Sequence, residues 1–271
     1  MKTDLQQLAQ RIRLDTFKII AEAGGGHFGG SLSEVEILTT LYFDELRLNV
    51  NDPNDHHRDR LILSKGHGGP ALYVILAKKG YFPQELLAEL DKSGSRLPKH
   101  VDRMVPGAEL SSGSLGQGLS TGIGMALACR IDKTDTRIYV VMGDGELDEG
   151  QCWEAAMCAA KYKLDNLVAI VDWNCVQVDG TCDEIMPTSP LDAKWEAFGW
   201  HVISVDGHQV SELQNALKTA RNIKGQPTVI IARTIKGKGV SFMENQAKWH
   251  SGSVTTEQYK TAVAELERNL G

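Results

Sequence analysis

Apolar residues recur every three or four positions at the start of the chain. The repeating positions are Leu5, Leu8, Ile12, Ile19 and Ala23. This spacing predicts a helix over the first 23 residues, ended by the glycine run at 24–26. We expect a loop over residues 24–30 to follow it.

Ser31 stands three residues before Glu34, which is the spacing of a capping box at the start of a helix. An apolar pattern continues from there to about Leu46. The sequence therefore predicts a second helix, with the 24–30 loop between the two.

Short apolar runs and helical patterns then alternate along the chain. The runs that predict strands are Leu61 to Ser64, Arg137 to Met142, Leu167 to Asp172, His201 to Val205 and Thr228 to Arg233. The predicted helices are Pro70 to Lys79, Leu115 to Arg130, Gly150 to Lys161, Leu191 to Phe198 and Val210 to Asn222. This order is typical of an α/β fold with a doubly wound, mainly parallel sheet and helices on both faces.

One stretch breaks the alternation. Residues 91–113 contain Pro98, Pro106 and several glycines but almost no periodicity. Loops of this length in compact domains are usually functional or mobile. We find no internal repeat or linker, so residues 1–271 are expected to form a single domain.

Charge and composition exclude several classes of protein. A formal net charge of −6 and the lack of a long basic run argue against nucleic-acid binding. There is no apolar run of about 18 residues and no signal-peptide pattern, so we expect a cytoplasmic protein without a membrane partner. Five cysteines without a CxxC pair indicate free thiols.

Two oxygen-bearing side chains follow neighbouring predicted strands. Asp144 lies in Gly143-Asp144-Gly145 at the end of one strand, and Asn174 follows the next. Open α/β sheets bind ligands at the carboxyl ends of their strands. A carboxylate, an amide oxygen and a nearby main-chain carbonyl, such as that of Val176, suit Mg²⁺ or Ca²⁺ and leave positions for phosphate oxygens. Taken singly, each residue is equally well explained as a turn former.

A glycine-rich loop, Ser111 to Gly118, opens the predicted helix that runs to Arg130. Its glycines permit a ligand or another backbone to approach closely. A dinucleotide site is not supported, because no strand precedes the loop and no acidic residue follows at the required spacing.

Four histidines lie in predicted loops rather than on a helix face. They are His27, His67, His100 and His250. No two of them have the i, i+4 spacing of a helical zinc pair. They are better suited to donate hydrogen bonds to an oxygen-rich ligand, although a surface or loop-anchoring role would explain each one separately.

The segment after the second predicted strand reads GDG-x3-EG-x2-WEA and is followed by Asp172 and Asn174. This pattern resembles the thiamine diphosphate motif of transketolases. The resemblance implies that Asp144, Asn174 and the Val176 carbonyl hold a Mg²⁺ or Ca²⁺ ion that bridges the diphosphate, in the thiamine diphosphate-binding fold.

Further residues take roles from the same resemblance. The glycine-rich loop is similar to the family's GPLGQG loop, with Ser114 in place of proline. This implies cofactor contacts from Ser114, Leu115, Gly116, Gly143 and Gly145. It also implies that His67 and His250 donate to the diphosphate or substrate, and that His27 and His100 orient hydroxyls of the sugar donor. Asp206-Gly207-His208 resembles the family's DGH, but a strand-end turn explains it equally well and it is assigned no chemistry.

The resemblance covers only the first of the three domains of a transketolase. It therefore implies a partner subunit of about 300 residues carrying the pyrimidine-binding and C-terminal domains, in an α₂β₂ assembly. The expected reaction moves a two-carbon ketol unit from a ketose or ketose phosphate to an aldose. Phe28 and Ser251 depart from the family pattern beside the first and last histidines. The alternatives are another thiamine diphosphate enzyme, either deoxyxylulose phosphate synthase-like or a 2-oxo acid dehydrogenase, and a non-catalytic binding subunit.

Overall fold

The computed structural model describes residues 4–270 and contains a five-stranded parallel sheet. The strands are β1 (Arg60–Leu63), β2 (Ile138–Gly143), β3 (Leu167–Trp173), β4 (His201–Asp206) and β5 (Thr228–Arg233). Their order across the sheet is β1-β2-β3-β5-β4. All five predicted strands are present, each within one residue of its expected bounds.

Helices cover both faces of the sheet, as the alternating pattern predicts. They are α1 (Leu5–Glu22), α2 (Phe28–Ser33), α3 (Val35–Thr40), α4 (Gly69–Lys79), α5 (Gln117–Ile131), α6 (Gly150–Lys161), α7 (Cys182–Ile185), α8 (Leu191–Ala197), α9 (Val210–Asn222) and α10 (Thr256–Arg268). Tyr139 and Val141 of β2 pack into the core beneath α1, α4 and α9, while Ile138 and Val140 pack against α5, α6 and α8. Successive residues of a strand point to opposite faces, so one strand serves two cores.

The expected capping box at Ser31 is wrong. Helix α2 already begins at Phe28, which also shortens the expected 24–30 loop, and Ser31 lies buried inside it. The Ser31 hydroxyl donates to the His67 main-chain oxygen at 3.4 Å. Glu34 is fully buried at the junction of α2 and α3, where it contacts Lys65 rather than its own backbone. A long-range contact with Lys65 has replaced the local interaction.

Two of these ten α-helices were not predicted. The four-residue α7 starts at a capping box formed by Thr181 and Glu184. Helix α10 starts at another, in which the Thr255 side chain accepts from Gln258 N. Its buried Leu266 belongs to the core that α1 also covers.

The 91–113 segment contains neither helix nor strand, as expected. It is nevertheless anchored, because Leu97, Val101 and Val105 are buried in the core and Val101 N donates to Gly66 O at 3.1 Å. Within residues 4–270, the helices are all too short or too polar to traverse a lipid bilayer.

Candidate functional site

The ends of β2 and β3 bring the two predicted metal-binding side chains to one place. Gly143 of β2 is level with Asp172 of β3, so the residues that follow each strand are neighbours. Asp144 Oδ1 accepts from Gly145 N at 2.8 Å, and its Oδ2 accepts from Cys175 N at 2.5 Å. The Asn174 side-chain oxygen accepts from Val176 N at 3.2 Å. Asp144, Asn174 and Val176 line one cavity.

The Asp144 carboxyl group is held in a poorly solvated position. The residue is 3% exposed, and burial, reinforced by the nearby Asp172 charge, raises its pKa to about 6. Its two main-chain donors compensate the negative charge only in part. A divalent cation beside this carboxylate would supply the missing positive charge.

The cavity measures about 240 Å³. Besides Asp144, Asn174 and Val176, it is lined by Gly30, Lys65, His67, Leu115, Gly143, Gly145, Glu146, Gln177, Val178, Asp179, Ile185, Lys236 and His250. A larger open groove of about 1660 Å³ passes Arg13, Glu36 and His208. We take the smaller cavity as the candidate site, because it is the one that Asp144, His67 and His250 line.

The glycine-rich loop reaches this cavity through Leu115. Gly116 adopts a φ of +84°, which favours glycine, and a Cβ there would lie 2.8 Å from Glu149 Cβ. Its N–H donates to the buried Glu146 carboxylate at 2.8 Å. Ser114 is exposed to solvent. Of the three loop residues expected at the cofactor, Leu115 is the one that the structure places in the cavity wall.

The four predicted histidines form a cluster. The His27 ring centroid lies 5.7 Å from that of His67, 4.9 Å from His100 and 5.5 Å from His250. The rings of His67 and His250 are 5.0 Å apart. Residues separated by more than 200 positions in the sequence thus meet at one end of the sheet.

Three half-buried members of this cluster have lowered pKa values, which favour the neutral imidazole at neutral pH. Burial, with His100 and Lys99 nearby, lowers the pKa of His27 to about 4. Burial and the Lys236 charge lower the pKa of His250 to about 3. For His67, burial and Lys65 lower the pKa well below its ordinary value. A neutral imidazole has one donor and one acceptor nitrogen, so these rings can bind hydroxyl groups as well as anionic oxygens.

Lys236 is a site residue that was not predicted. Its Nζ donates to Val176 O at 2.7 Å and to Gln177 O at 3.0 Å, and lies 3.1 Å from His250 Nδ1. Burial and the Lys65 charge lower its pKa to about 8. The residue lies three positions after β5, so the rule that located Asp144 after β2 would also have located it.

A second lysine supports the site from beneath. Lys65 is 1% exposed, and its Nζ forms an ion pair with Asp172, lies 3.2 Å from Glu34 and donates to Gly30 O at 2.8 Å. Burial alone would raise the pKa of Asp172, but the Lys65 charge outweighs the effect of burial and holds this pKa below its ordinary value. Burial raises the pKa of Glu34 to about 8 even though Lys65 opposes this. The cluster joins the ends of α2 and β1 to β3 at the wall of the cavity, which Lys65 itself lines.

Comparison with known proteins identifies the family. The family described as "Transketolase, thiamine diphosphate binding domain" matches residues 5–271. The chain is 51% identical to the 6-deoxy-6-sulfo-D-fructose transketolase subunit of Clostridium sp. (strain MSTE9), over 98% of this chain and 97% of that protein. It is 44% identical to an apulose-4-phosphate transketolase subunit of Phocaeicola vulgatus, over 98% and 94%.

Single-chain transketolases match over a smaller part of their length. The human transketolase is 39% identical, over 97% of this chain but 42% of that protein. The structure of transketolase from Leishmania mexicana superposes with a TM-score of 0.92 at 30% identity, covering 98% of this chain and 42% of the other. The predicted α/β fold is therefore confirmed.

Proposed function

The chain belongs to the transketolase family, and we propose that it is the thiamine-diphosphate-binding subunit of a two-chain transketolase. The reaction would move a two-carbon ketol unit from a ketose to an aldose. The observation that carries this proposal is the similarity, over nearly the full length of both proteins, to relatives that are themselves named as transketolase subunits.

The residues of the cavity fit a diphosphate and its metal ion. Asp144, Asn174 and the Val176 carbonyl are hard oxygen ligands of the kind that Mg²⁺ or Ca²⁺ prefers. The raised pKa of the buried Asp144 supports a cation there. Because Lys236 Nζ donates to the same Val176 carbonyl, we expect it to turn toward the diphosphate when a metal ion binds.

The remaining side chains divide between cofactor and substrate. Lys236, His67 and His250 would hold the diphosphate or substrate oxygens. His27 and the exposed His100 would orient hydroxyls of the sugar. When bound, thiamine diphosphate supplies the nucleophilic carbon that cleaves a ketose beside its carbonyl group. The protein contributes binding, orientation and hydrogen bonds.

A partner subunit would complete the site. Val178 and Ile185 line the cavity yet are 57% and 47% exposed, and Met186 beside them is 55% exposed. Exposed apolar side chains grouped at a site favour a protein contact. We propose a partner of about 300 residues with the pyrimidine-binding and C-terminal domains, in a cytoplasmic α₂β₂ enzyme.

The substrates would be sugars or sugar phosphates. Two relatives carry the names of anionic sugars, 6-deoxy-6-sulfo-D-fructose and apulose 4-phosphate. We therefore propose an anionic ketose as donor or product. Activity of the chain with its co-purified partner would be assayed on xylulose 5-phosphate with ribose 5-phosphate, and on 6-deoxy-6-sulfo-D-fructose. Cofactor binding without ketol transfer on any ketose tested would favour another thiamine diphosphate enzyme.

Calorimetric titration tests the cofactor site. Thiamine diphosphate would be titrated with and without Mg²⁺ into the complex of the wild-type chain with its co-purified partner, and into the same complex with Asp144→Ala or with the control Asp192→Ala, whose residue is exposed on α8. Loss of even an outer partner of a metal ligand costs 10–100-fold, so we expect Asp144→Ala to weaken binding by about 100-fold or more. Unchanged affinity in Asp144→Ala would show that the metal assignment is wrong. No binding by the wild-type complex would favour a non-catalytic subunit.

A further inference from the structure

The segment that carries Lys236 is fixed to several other elements by its backbone. Thr234 N donates to Trp173 O of β3 at 3.1 Å, and Gly237 N donates to Gly29 O of α2 at 3.0 Å. Between them, Ile235 N donates to His208 Nε2 at 2.9 Å. Of these three hydrogen bonds, the one at Ile235 has a side-chain acceptor, and Ile235 is the residue immediately before Lys236.

The hydrogen bonds determine the state of the His208 ring. Because Nε2 accepts the Ile235 N–H, the ring proton must lie on Nδ1. Nδ1 is 3.0 Å from Glu36 Oε2 and donates to it. His208 N also donates to Asp206 Oδ1 at 2.8 Å, which fixes the loop after β4.

A buried ion pair orients the acceptor of that proton. Arg13 Nη2 lies 2.5 Å from Glu36 Oε2, and both side chains are less than a tenth exposed. Burial opposes the Glu36 charge, but Arg13 and His208 outweigh it and lower the pKa of Glu36 to about 2. The Arg13–Glu36 ion pair, which joins α1 to α3, therefore orients the His208 imidazole, and the imidazole in turn binds Ile235 N.

We propose that His208 is a positioning residue that places Lys236 at the diphosphate, through the chain Arg13–Glu36–His208–Ile235. The inference rests on the proposed function, and it assigns the Asp206-Gly207-His208 motif a role in cofactor binding. Lys236 lines the cavity, and its Nζ lies within 3.1 Å of Val176 O, Gln177 O and His250 Nδ1, so the position of its backbone decides which oxygens in the cavity the ammonium group can reach.

A double-mutant cycle on thiamine diphosphate affinity in the presence of Mg²⁺ tests the proposal. The variants are His208→Leu, Lys236→Met and the double mutant, with the exposed His56→Leu as control, each purified with any partner subunit that accompanies it. We expect His208→Leu to weaken binding by about 10-fold and Lys236→Met to weaken it further. The double mutant should bind no more weakly than Lys236→Met alone. His208→Gln, which can accept from Ile235 and donate to Glu36, should recover most of the affinity.

The outcomes separate this inference from the function on which it rests. Additive losses in the cycle would mean that His208 acts by general stability and not through Lys236, which overturns the proposal. Full affinity in His208→Leu would overturn it as well. If His208→Leu does not fold, the same cycle with His208→Asn, whose shorter side chain cannot reach both Ile235 N and Glu36, must show coupling to Lys236. Failure of the wild-type protein to bind the cofactor would instead reject the proposed function.

Discussion

The buried charge cluster under the site predicts an unusually large effect of one substitution, Lys65→Met. The methionine keeps most of the side-chain volume but removes the ammonium group from Asp172, which is fully buried. Only the Ser33 and Thr234 hydroxyls would remain as side-chain donors to that carboxylate. Breaking a buried pair by removing one partner costs 3–5 kcal/mol, so we expect a loss of about 4 kcal/mol in the free energy of unfolding.

A matched lysine provides the control. Lys78 Nζ lies 2.7 Å from Asp15, a distance typical of a strong ion pair, but these side chains are 21% and 40% exposed. Exposed pairs are worth about 0–1 kcal/mol, so Lys78→Met should cost no more than that. The two substitutions are chemically identical and differ in burial.

Urea denaturation followed by tryptophan fluorescence would measure both variants. A stable domain has about 5–15 kcal/mol in total, so Lys65→Met should shift the midpoint strongly or prevent folding. Adding Asp172→Asn to Lys65→Met should restore most of the loss, because the uncompensated charge is gone. Equal, small losses in Lys65→Met and Lys78→Met would refute the reasoning.

Two further predictions concern packing and pH. In α5, a Cβ at Gly118 would overlap the Ser64 side chain and lie 3.0 Å from the Ser64 Cα, so Gly118→Ala should lower the melting temperature. A Cβ at Gly124 of the same helix would meet nothing within 4 Å, so Gly124→Ala should raise the free energy of unfolding by about 0.5–1 kcal/mol. Calorimetric melting would compare the two. Glu36 has a folded pKa of about 2 against its ordinary 4.5, so its stabilisation is complete above pH 4.5 and is lost as pH falls through 2. This pKa difference corresponds to about 3 kcal/mol in the free energy of unfolding. In Glu36→Gln, the free energy of unfolding should therefore fall less steeply as the pH is lowered from 4.5 to 2. An unchanged pH dependence in the variant would contradict this.

Local patterns in the chain were enough to predict the sheet. Each of the five strands is a short, largely apolar run, most of them rich in β-branched residues, and each lies within one residue of its expected bounds. The same strand-end logic brought Asp144 and Asn174 together, because β2 and β3 are consecutive in sequence and adjacent in the sheet. The roles of those two residues and of the four histidines stay predictions.

Ser31 shows why a local rule can fail. Its spacing to Glu34 matches a capping box, but Glu34 pairs with Lys65 and Ser31 donates to His67 O. Both partners are more than 30 residues away in the sequence. Folding buries Glu34 beside Lys65, and no short window of sequence contains both residues.

The sequence alone determined the parallel α/β architecture, the strand-end positions of Asp144 and Asn174 and the loop positions of the four histidines, because hydrophobic periodicity and turn residues act over a few positions. The tertiary structure decided which residues from distant parts of the chain contact these positions. In the sheet, β5 lies between β3 and β4, which brings the segment after β5 next to the end of β3 and places Lys236 against Val176. His208 and Glu36 meet across 172 residues of chain. Such contacts depend on the order of strands in the sheet, and that order is set by packing of the whole domain.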